Sequence, residues 1–190
     1  GSRFDKTKSA EQDEKNIYHQ ILLAKNEVGY KNLCKLSSLA YLEGFYYKPR
    51  VDKELLRNHA KGLIVLSGCF NGEIGRALQY KKPEIAERLI REYQDIFGKE
   101  NFYLEVQPHL SFENQRAIND GLFALAPRVG AKIVATNDSH YAKPEDADAQ
   151  DILVSVQTGN RVQDEDRLTM KGTDLSLRSP AEMASLFPDH

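Results

Sequence analysis

Three short apolar runs punctuate this chain of 190 residues, and helices of ten or more residues separate them. Gly62-Leu63-Ile64-Val65-Leu66, Phe102 to Gln107 and Ile133-Val134-Ala135 are rich in β-branched or aromatic residues. Each is too short for a helix and reads as a strand. Strands that alternate with long helices predict βαβ units and a parallel sheet, hence an α/β fold. Three strands are too few to close a barrel. The remaining strands of such a barrel are expected upstream of Gly1.

The helices have clear punctuation. Pro83 opens a long one to Phe97, with Ile85, Leu89, Ile90, Tyr93, Ile96 and Phe97 on its apolar side, and Gly98 ends it. Glu113 to Val129 is predicted to be another, with Ala117, Leu122, Leu125 and Ala126 inward and Pro127 at a kink or the last turn. Nearer the start, Ile17, Ile21, Ala24 and Val28 follow helical spacing, so Ile17 to Val28 is predicted to be a buried helix that Gly29 breaks. Tyr30 to Leu42 resumes the period, with Cys34 as a small buried residue within it and Gly44 at its end. Asp52 caps a short helix through Asn58. A further helix follows the turn after residue 66 and runs through Leu78. Pro144 opens a helix that stops at Thr158-Gly159-Asn160, residues 161–179 are loop or short extended segments, and Ser179-Pro180 starts a last helix. Residues 1–16 are polar and without periodicity. They are expected to be a loop continuing from an upstream segment, with 17–190 as the folded portion.

A net charge of −2 gives no global attraction to nucleic acid, though it is compatible with a local basic groove. The two cysteines, and the lack of a signal peptide or long apolar run, favour a reducing, cytoplasmic setting and no membrane role. In GFYYKPRVD, aromatic residues are interleaved with Lys48 and Arg50. That pattern suits nucleic-acid stacking or, more simply, a tyrosine-rich loop packed on the domain.

The third strand leads into Asn137-Asp138-Ser139-His140. Polar residues at the C-terminal end of a parallel strand stand where α/β proteins gather ligands and catalytic groups. In extended backbone, Asp138 and His140 share a side, so a carboxylate and an imidazole can converge on one ion, with Zn²⁺, Mn²⁺ or Fe suited to the pair. The simpler reading makes Asp138 a cap and His140 a surface residue. After the first strand, Ser67-Gly68-Cys69-Phe70-Asn71-Gly72-Glu73 can turn backbone N–H groups toward a phosphate. Cys69 there is either a stabilised thiolate or a buried thiol. His19, projected between Leu22 and Leu23, is either a satisfied core histidine or a ligand. Glu105 and Gln107 share a face and His109 follows Pro108, lining a cavity or a solvated rim.

Taken in order, the tracts YHQILLAKNEVGYKNLCKLSSLAYLEGFYYKPRVDKELL, LSGCFNGEI, NFYLEVQ and ATNDSHY resemble the PHP (polymerase and histidinol phosphatase) domain of the bacterial DNA polymerase III alpha family. The likeness runs from Ser2-Arg3-Phe4 to Ala181-Glu182-Met183. It implies part of a distorted (β/α)7, TIM-like barrel. It implies divalent metal ions, Zn, Mn or Mg and up to three in a complete domain, at the C-terminal ends of the strands. The ligands it implies here are His19, Cys69, Asp138 and His140, with Ser67, Gly68 and Glu73 as phosphate-binding or supporting residues. The family's early HxH group is missing from this sequence, so the chain looks like the later part of such a domain. By itself it is expected neither to polymerise DNA nor to hold a complete metal cluster. The resemblance further implies DNA-directed DNA synthesis in the parent (a nucleotidyltransferase), a metal-dependent phosphoesterase or 3′–5′ exonuclease site or its structural remnant, and DNA, a sliding clamp and a proofreading subunit as partners. A scaffold that docks the proofreading subunit and a stand-alone phosphatase are the competing expectations.

Overall fold

The computed structural model describes residues 2–6, 17–112 and 114–189. Residues 7–16, most of the expected N-terminal loop, lie outside the described residues, as does Glu113 at the expected start of the helix to Val129. The elements are β1 (Ile21–Ala24), α1 (Glu27–Leu42), α2 (Lys53–Asn58), β2 (Leu63–Leu66), α3 (Glu73–Gln79), α4 (Pro83–Phe97), β3 (Phe102–Val106), α5 (Gln115–Val129), β4 (Lys132–Ala135), α6 (Ala147–Thr158) and α7 (Pro180–Ser185). Two compact units emerge, Gly1–Glu105 with Asp120–Val134, and Val106–Asn119 with Ala135–His190.

The sheet is mixed and has four strands in the order β1-β2-β3-β4. β2 and β3 pair in parallel, with Val65 beside Phe102, as a βαβ unit requires. β1 runs antiparallel to β2, from Ile21 opposite Leu66 to Ala24 opposite Leu63. This corrects the helix expected over Ile17 to Val28: pairing with an established strand outweighs a helical spacing that any Ile/Leu/Ala run can satisfy. Gly29 does not break a helix either. It sits in the first turn of α1, where the Asn26 side chain accepts from its N–H at 3.0 Å. A Cβ at Gly29 would stand 1.8 Å from the Gly62 carbonyl oxygen, so this glycine is a contact point between two backbones. β4 is half-buried rather than buried, as expected for the last strand in the row.

In the first unit α4 spans the predicted residues, with Pro83 in its first turn and Gly98 at φ 85° beyond it. It buries Ala86, Leu89, Ile90, Tyr93, Ile96 and Phe97 against β2 and α3. Tyr93 stacks on Phe102 of β3 at 5.6 Å. Asp52 caps α2, accepting from Leu55 N at 3.1 Å. It also receives the Arg3 guanidinium at 3.0 Å, and Glu43 takes the other edge at 2.8 Å. Those bonds, the one to Glu43 foremost, raise the Arg3 pKa. Cys34 is exposed, not buried, because it lies off the face of α1 that carries Leu36 and Ala40.

Among the described residues of the second unit the buried apolar side chains are Val106, Ile118, Val154 and Leu175, while Ala117 is exposed. The buried polar ones are twice as many: Gln107, His109, Gln115, Asn119, Asn137, Asp151, Ser155 and Ser176. Asp151 on α6 receives both terminal nitrogens of Arg167, at 2.7 and 2.6 Å, and the Thr169 hydroxyl at 2.7 Å. These bonds, Arg167 first, hold its carboxyl well below the usual carboxylate range. Ser179 and Glu182 form a reciprocal capping box at the start of α7.

Candidate functional site

Where β2 ends, the turn to α3 closes around the segment preceding β1. Ser67 is buried, donating through its N–H to Tyr103 O at 2.9 Å and accepting at Oγ from Glu105 N at 2.9 Å. Gly68 has φ 83°, and a Cβ there would stand 2.7 Å from His19 O. Only glycine lets the two main chains approach so closely in that conformation. His19 N donates to Asn71 O at 3.1 Å, and the Gln20 amide donates to Leu66 O. The result brings Cys69 Sγ to 3.8 Å from His19 Nδ1. His19 is exposed and Cys69 half-buried, so both donors are reachable from solvent.

Glu73 opens α3 and is already engaged. Its Oε2 accepts from Tyr93 OH at 2.9 Å and pairs with Lys53 at 2.9 Å, which also reaches Glu92 at 2.8 Å. Burial, then the Glu73 charge, pushes the Tyr93 phenol far above its ordinary pKa, so it remains a donor. A cavity of about 370 Å³ opens in this unit, lined in part by Tyr18, Gln20, Lys53, Glu73 and Tyr93.

Asp138 and His140 lie in the second unit, past the end of β4. Asp138 has φ 46°, so the extended backbone expected to put both side chains on one side stops before them. The turn is instead fixed by hydrogen bonds. Asn137 Nδ2 donates to Ser176 O at 2.7 Å and Asp174 O at 3.2 Å. The Ser139 hydroxyl donates to Ser176 O at 3.2 Å, and His140 N donates to Leu175 O at 2.9 Å. His140 Nδ1 lies 2.6 Å from Asp138 O. A carbonyl only accepts, so Nδ1 carries a proton and Nε2 lies outside that bond.

His109 is the residue that sequence reasoning passed over as cavity lining or rim. It is 3% exposed, and its Nε2 has no hydrogen-bond partner. Burial lowers its pKa, more than the Asp138 charge raises it, so the ring is neutral near pH 7. Its position directly after a strand end, beyond Pro108, was the available signal.

Imidazole, thiolate and carboxylate donors suit Zn²⁺ or Mn²⁺ better than Mg²⁺, which prefers an all-oxygen octahedron. A buried imidazole nitrogen without a partner also fits a centre that takes a cation. Among the described residues no three His, Cys, Asp or Glu side chains stand together closely enough to hold an ion. No helix among the described residues is long and apolar enough to cross a membrane.

A strand-rooted Cys–His contact and an Asp-x-His turn, on a mixed α/β sheet, accompany membership of the PHP domain family, whose pattern matches residues 3–109. The chain belongs to that family. Over its whole length it is 46% identical to the DNA polymerase III subunit alpha of Treponema pallidum (strain Nichols), covering 16% of that protein. Over 92% of its length it is 46% identical to the same subunit of Borreliella burgdorferi, and over 99% it is 40% identical to that of Thermus aquaticus, covering 15% of each. The chain therefore spans about one sixth of the length of these curated relatives.

Proposed function

We propose that this chain is part of a bacterial replicative DNA polymerase alpha subunit. Within it, His19, Cys69, Asp138 and His140 contribute ligands to a metal-dependent phosphoesterase site of the 3′–5′ exonuclease type. The observation that carries the reading is the similarity to alpha subunits, 46% and 40% identical over 100% and 99% of the chain. On this reading the chain is the later portion of a distorted (β/α)7 barrel, and DNA and the other replicase subunits, a sliding clamp and a proofreading subunit among them, are its partners in the cytoplasm.

When bound, divalent ions at such a site lower the pKa of a coordinated water and neutralise charge on a phosphodiester. The chain's own residues supply the placement. Gly68 lets the His19 backbone close onto the Cys69 turn, so thiol and imidazole face solvent together. Asp138 O accepts from His140 Nδ1 and so leaves Nε2 for coordination. Ser67, whose hydroxyl accepts from Glu105 N, fixes the β2 end to β3. Gly68 and Glu73 shape and anchor the same turn, with Glu73 acting through Lys53 and Tyr93.

The test is metal content by plasma mass spectrometry on the full-length parent subunit, wild type beside an Asp138→Ala, His140→Ala double variant. Two or three metals per chain, falling in the variant, are expected, together with removal of a mismatched 3′ nucleotide by the wild type. A wild type without metal would overturn the reading in favour of a scaffold that docks a separate proofreading subunit. Cys69→Ser is expected to weaken metal binding more than Cys34→Ser, since Cys69 alone of the two faces an imidazole. Equal effects would remove Cys69 from the ligand set.

A further inference from the structure

We propose that the exposed face of α1 and the loop after it form a track for single-stranded nucleic acid, with aromatic rings stacking on bases and lysines meeting phosphates. The inference goes beyond the metal reading and does not depend on it.

The aromatic residues of the tract GFYYKPRVD can either pack on the domain or face outward, and most face outward. Tyr47 is 64% exposed, and Tyr30 and Tyr41 on α1 are 63% and 61% exposed. Phe45, also exposed, lies parallel to Tyr41 with ring centroids 6.1 Å apart. Rings turned to water add little to folding, and a run of them marks a surface that meets a partner.

The loop is built to hold its rings out. A Cβ at Gly44 would stand 2.0 Å from Arg50 O, so main chain closes on main chain at the base. Arg50 Nε donates to Gly44 O at 3.0 Å, and the guanidinium lies 5.3 Å from the centre of the half-buried Tyr46 ring. Tyr46 and Lys48 exchange backbone hydrogen bonds of 3.1 and 2.7 Å, which leaves Tyr47 at the tip of the turn. Tyr47 has φ 59° there, a left-handed conformation that glycine adopts with less strain. Folding alone favours glycine at that point, and the outward ring is what tyrosine adds.

Charge selects the partner. On α1, Tyr30 and Tyr41 fall on one line of the helix surface, about 16 Å apart, and Lys31 and Lys35 fall on the strip beside it. Among the exposed residues from Tyr30 to Lys48, the charged ones are Lys31, Lys35 and Lys48, none is acidic, and Leu42 is the single aliphatic one. Glu43 is held by Arg3. Glu27, one turn before Lys31, pairs with it at 2.8 Å, but both are exposed, and such a pair yields readily to a phosphate. This basic strip stands in a chain whose net charge is −2. A protein segment docking here would meet almost no aliphatic surface. A single strand needs flat rings and cations set along a line, and takes any base because every base has a π-face.

The experiment is tyrosine nitration by tetranitromethane on the full-length parent subunit, mapped by mass spectrometry with and without oligodeoxythymidylate. Tyr30, Tyr41 and Tyr47 are expected to react freely alone and to be protected by the strand. Buried Tyr93 is the unreactive control, and the reactivity of Tyr80, at the end of α3, is expected not to depend on the strand. In a Lys31→Glu, Lys35→Glu double variant, half-protection should need at least about tenfold more strand, and protection should fade as salt rises. Tyr47→Gly relieves the left-handed strain, so it is expected to unfold no earlier than wild type while binding the strand about tenfold more weakly. Resistance of the three tyrosines to nitration without DNA would mean that another part of the subunit covers the face, and would overturn the inference. So would equal protection by duplex DNA, whose bases are already stacked, or unchanged protection in the lysine variant. None of these readouts involves a metal, so the metal reading stands or falls separately.

Discussion

The corner around His19 and the turn around Asp138 are held by different materials. The first is rooted in a sheet. Its turn leaves β2, Ser67 is bonded to β3, and the buried side chains beneath it on β2, β3 and α4 are overwhelmingly apolar. The second hangs on polar bonds, from Asn137, Ser139 and His140 to the main chain of residues 174–176, in a unit whose buried polar side chains outnumber its apolar ones. Hydrophobic packing is non-directional and spread over many atoms, so one deletion is shared among neighbours. A polar network is directional, and losing one member leaves others unsatisfied. The first corner is therefore sensitive to added volume and the second to lost hydrogen bonds.

Adding volume tests the first half of that contrast. Gly68→Ala puts a Cβ 2.7 Å from His19 O at a backbone φ of 83°. It is expected to cost about 3 kcal/mol, combining steric overpacking with left-handed strain. Loss of the Cys69–His19 contact should appear as a lower denaturant midpoint and weaker metal binding. A variant as stable as wild type would show that the corner yields more readily than its packing implies.

Deleting an amide tests the second half. Asn137→Ala removes two bonds, leaving Ser176 O to the Ser139 hydroxyl and taking the amide from Asp174 O, at a cost of about 2 kcal/mol. Hydrogen exchange should accelerate at residues 136–141 and 174–177 and remain unchanged in β2 and β3. Equal loss of protection in both places would erase the distinction. Tyr93→Phe sharpens it from the other side. The first unit loses one hydrogen bond to Glu73 but keeps the ring stacked on Phe102, so about 1 kcal/mol is expected from thermal unfolding.

Strong acidification tests one ion pair of the second unit, although the Asp52 carboxyl of the first unit also titrates below its ordinary value. The folded Asp151 carboxyl titrates below its ordinary value, so the unfolded chain binds the proton first as pH falls. The stability that Asp151 contributes is complete above the ordinary aspartate pKa of about 3.9 and declines below it, until the folded carboxyl protonates too. Asp151→Asn should flatten this acid limb in a pH series of unfolding midpoints. An unchanged limb would place the acid sensitivity elsewhere.

Much of this architecture could be read from the residues, and the failures have identifiable causes. Pro83 and Gly98 bracket α4, Asp52 caps α2, and Ser179 with Glu182 opens α7, because local punctuation and tertiary structure agree there. β1 was hidden because Ile21-Leu22-Leu23-Ala24 fits either period, and only its partner β2 decides. Asn26 followed by Glu27 was the overlooked cue, a helix cap placed just beyond the strand. Asp138 and His140 stood out as residue types, but the argument from extended backbone did not survive the left-handed turn at Asp138. His109 was read only as cavity lining or rim because sequence records which groups exist rather than which are buried or satisfied.

The meeting of Gly29 with Gly62 has a consequence for how this domain can vary. Main chain touches main chain there, and Gly62 itself has φ 78° with the Asn26 side chain 2.5 Å from where its Cβ would be. The seating of α1 beside the start of β2 is thus encoded by two missing methyl groups rather than by complementary side chains. A saturation library should find both positions closed even to alanine, the smallest possible change. Val28 and Tyr30, flanking Gly29 and exposed, should accept almost any residue. The tolerance map across these three adjacent positions would run open, shut, open, with the narrow gap falling on the residue that has no side chain to lose.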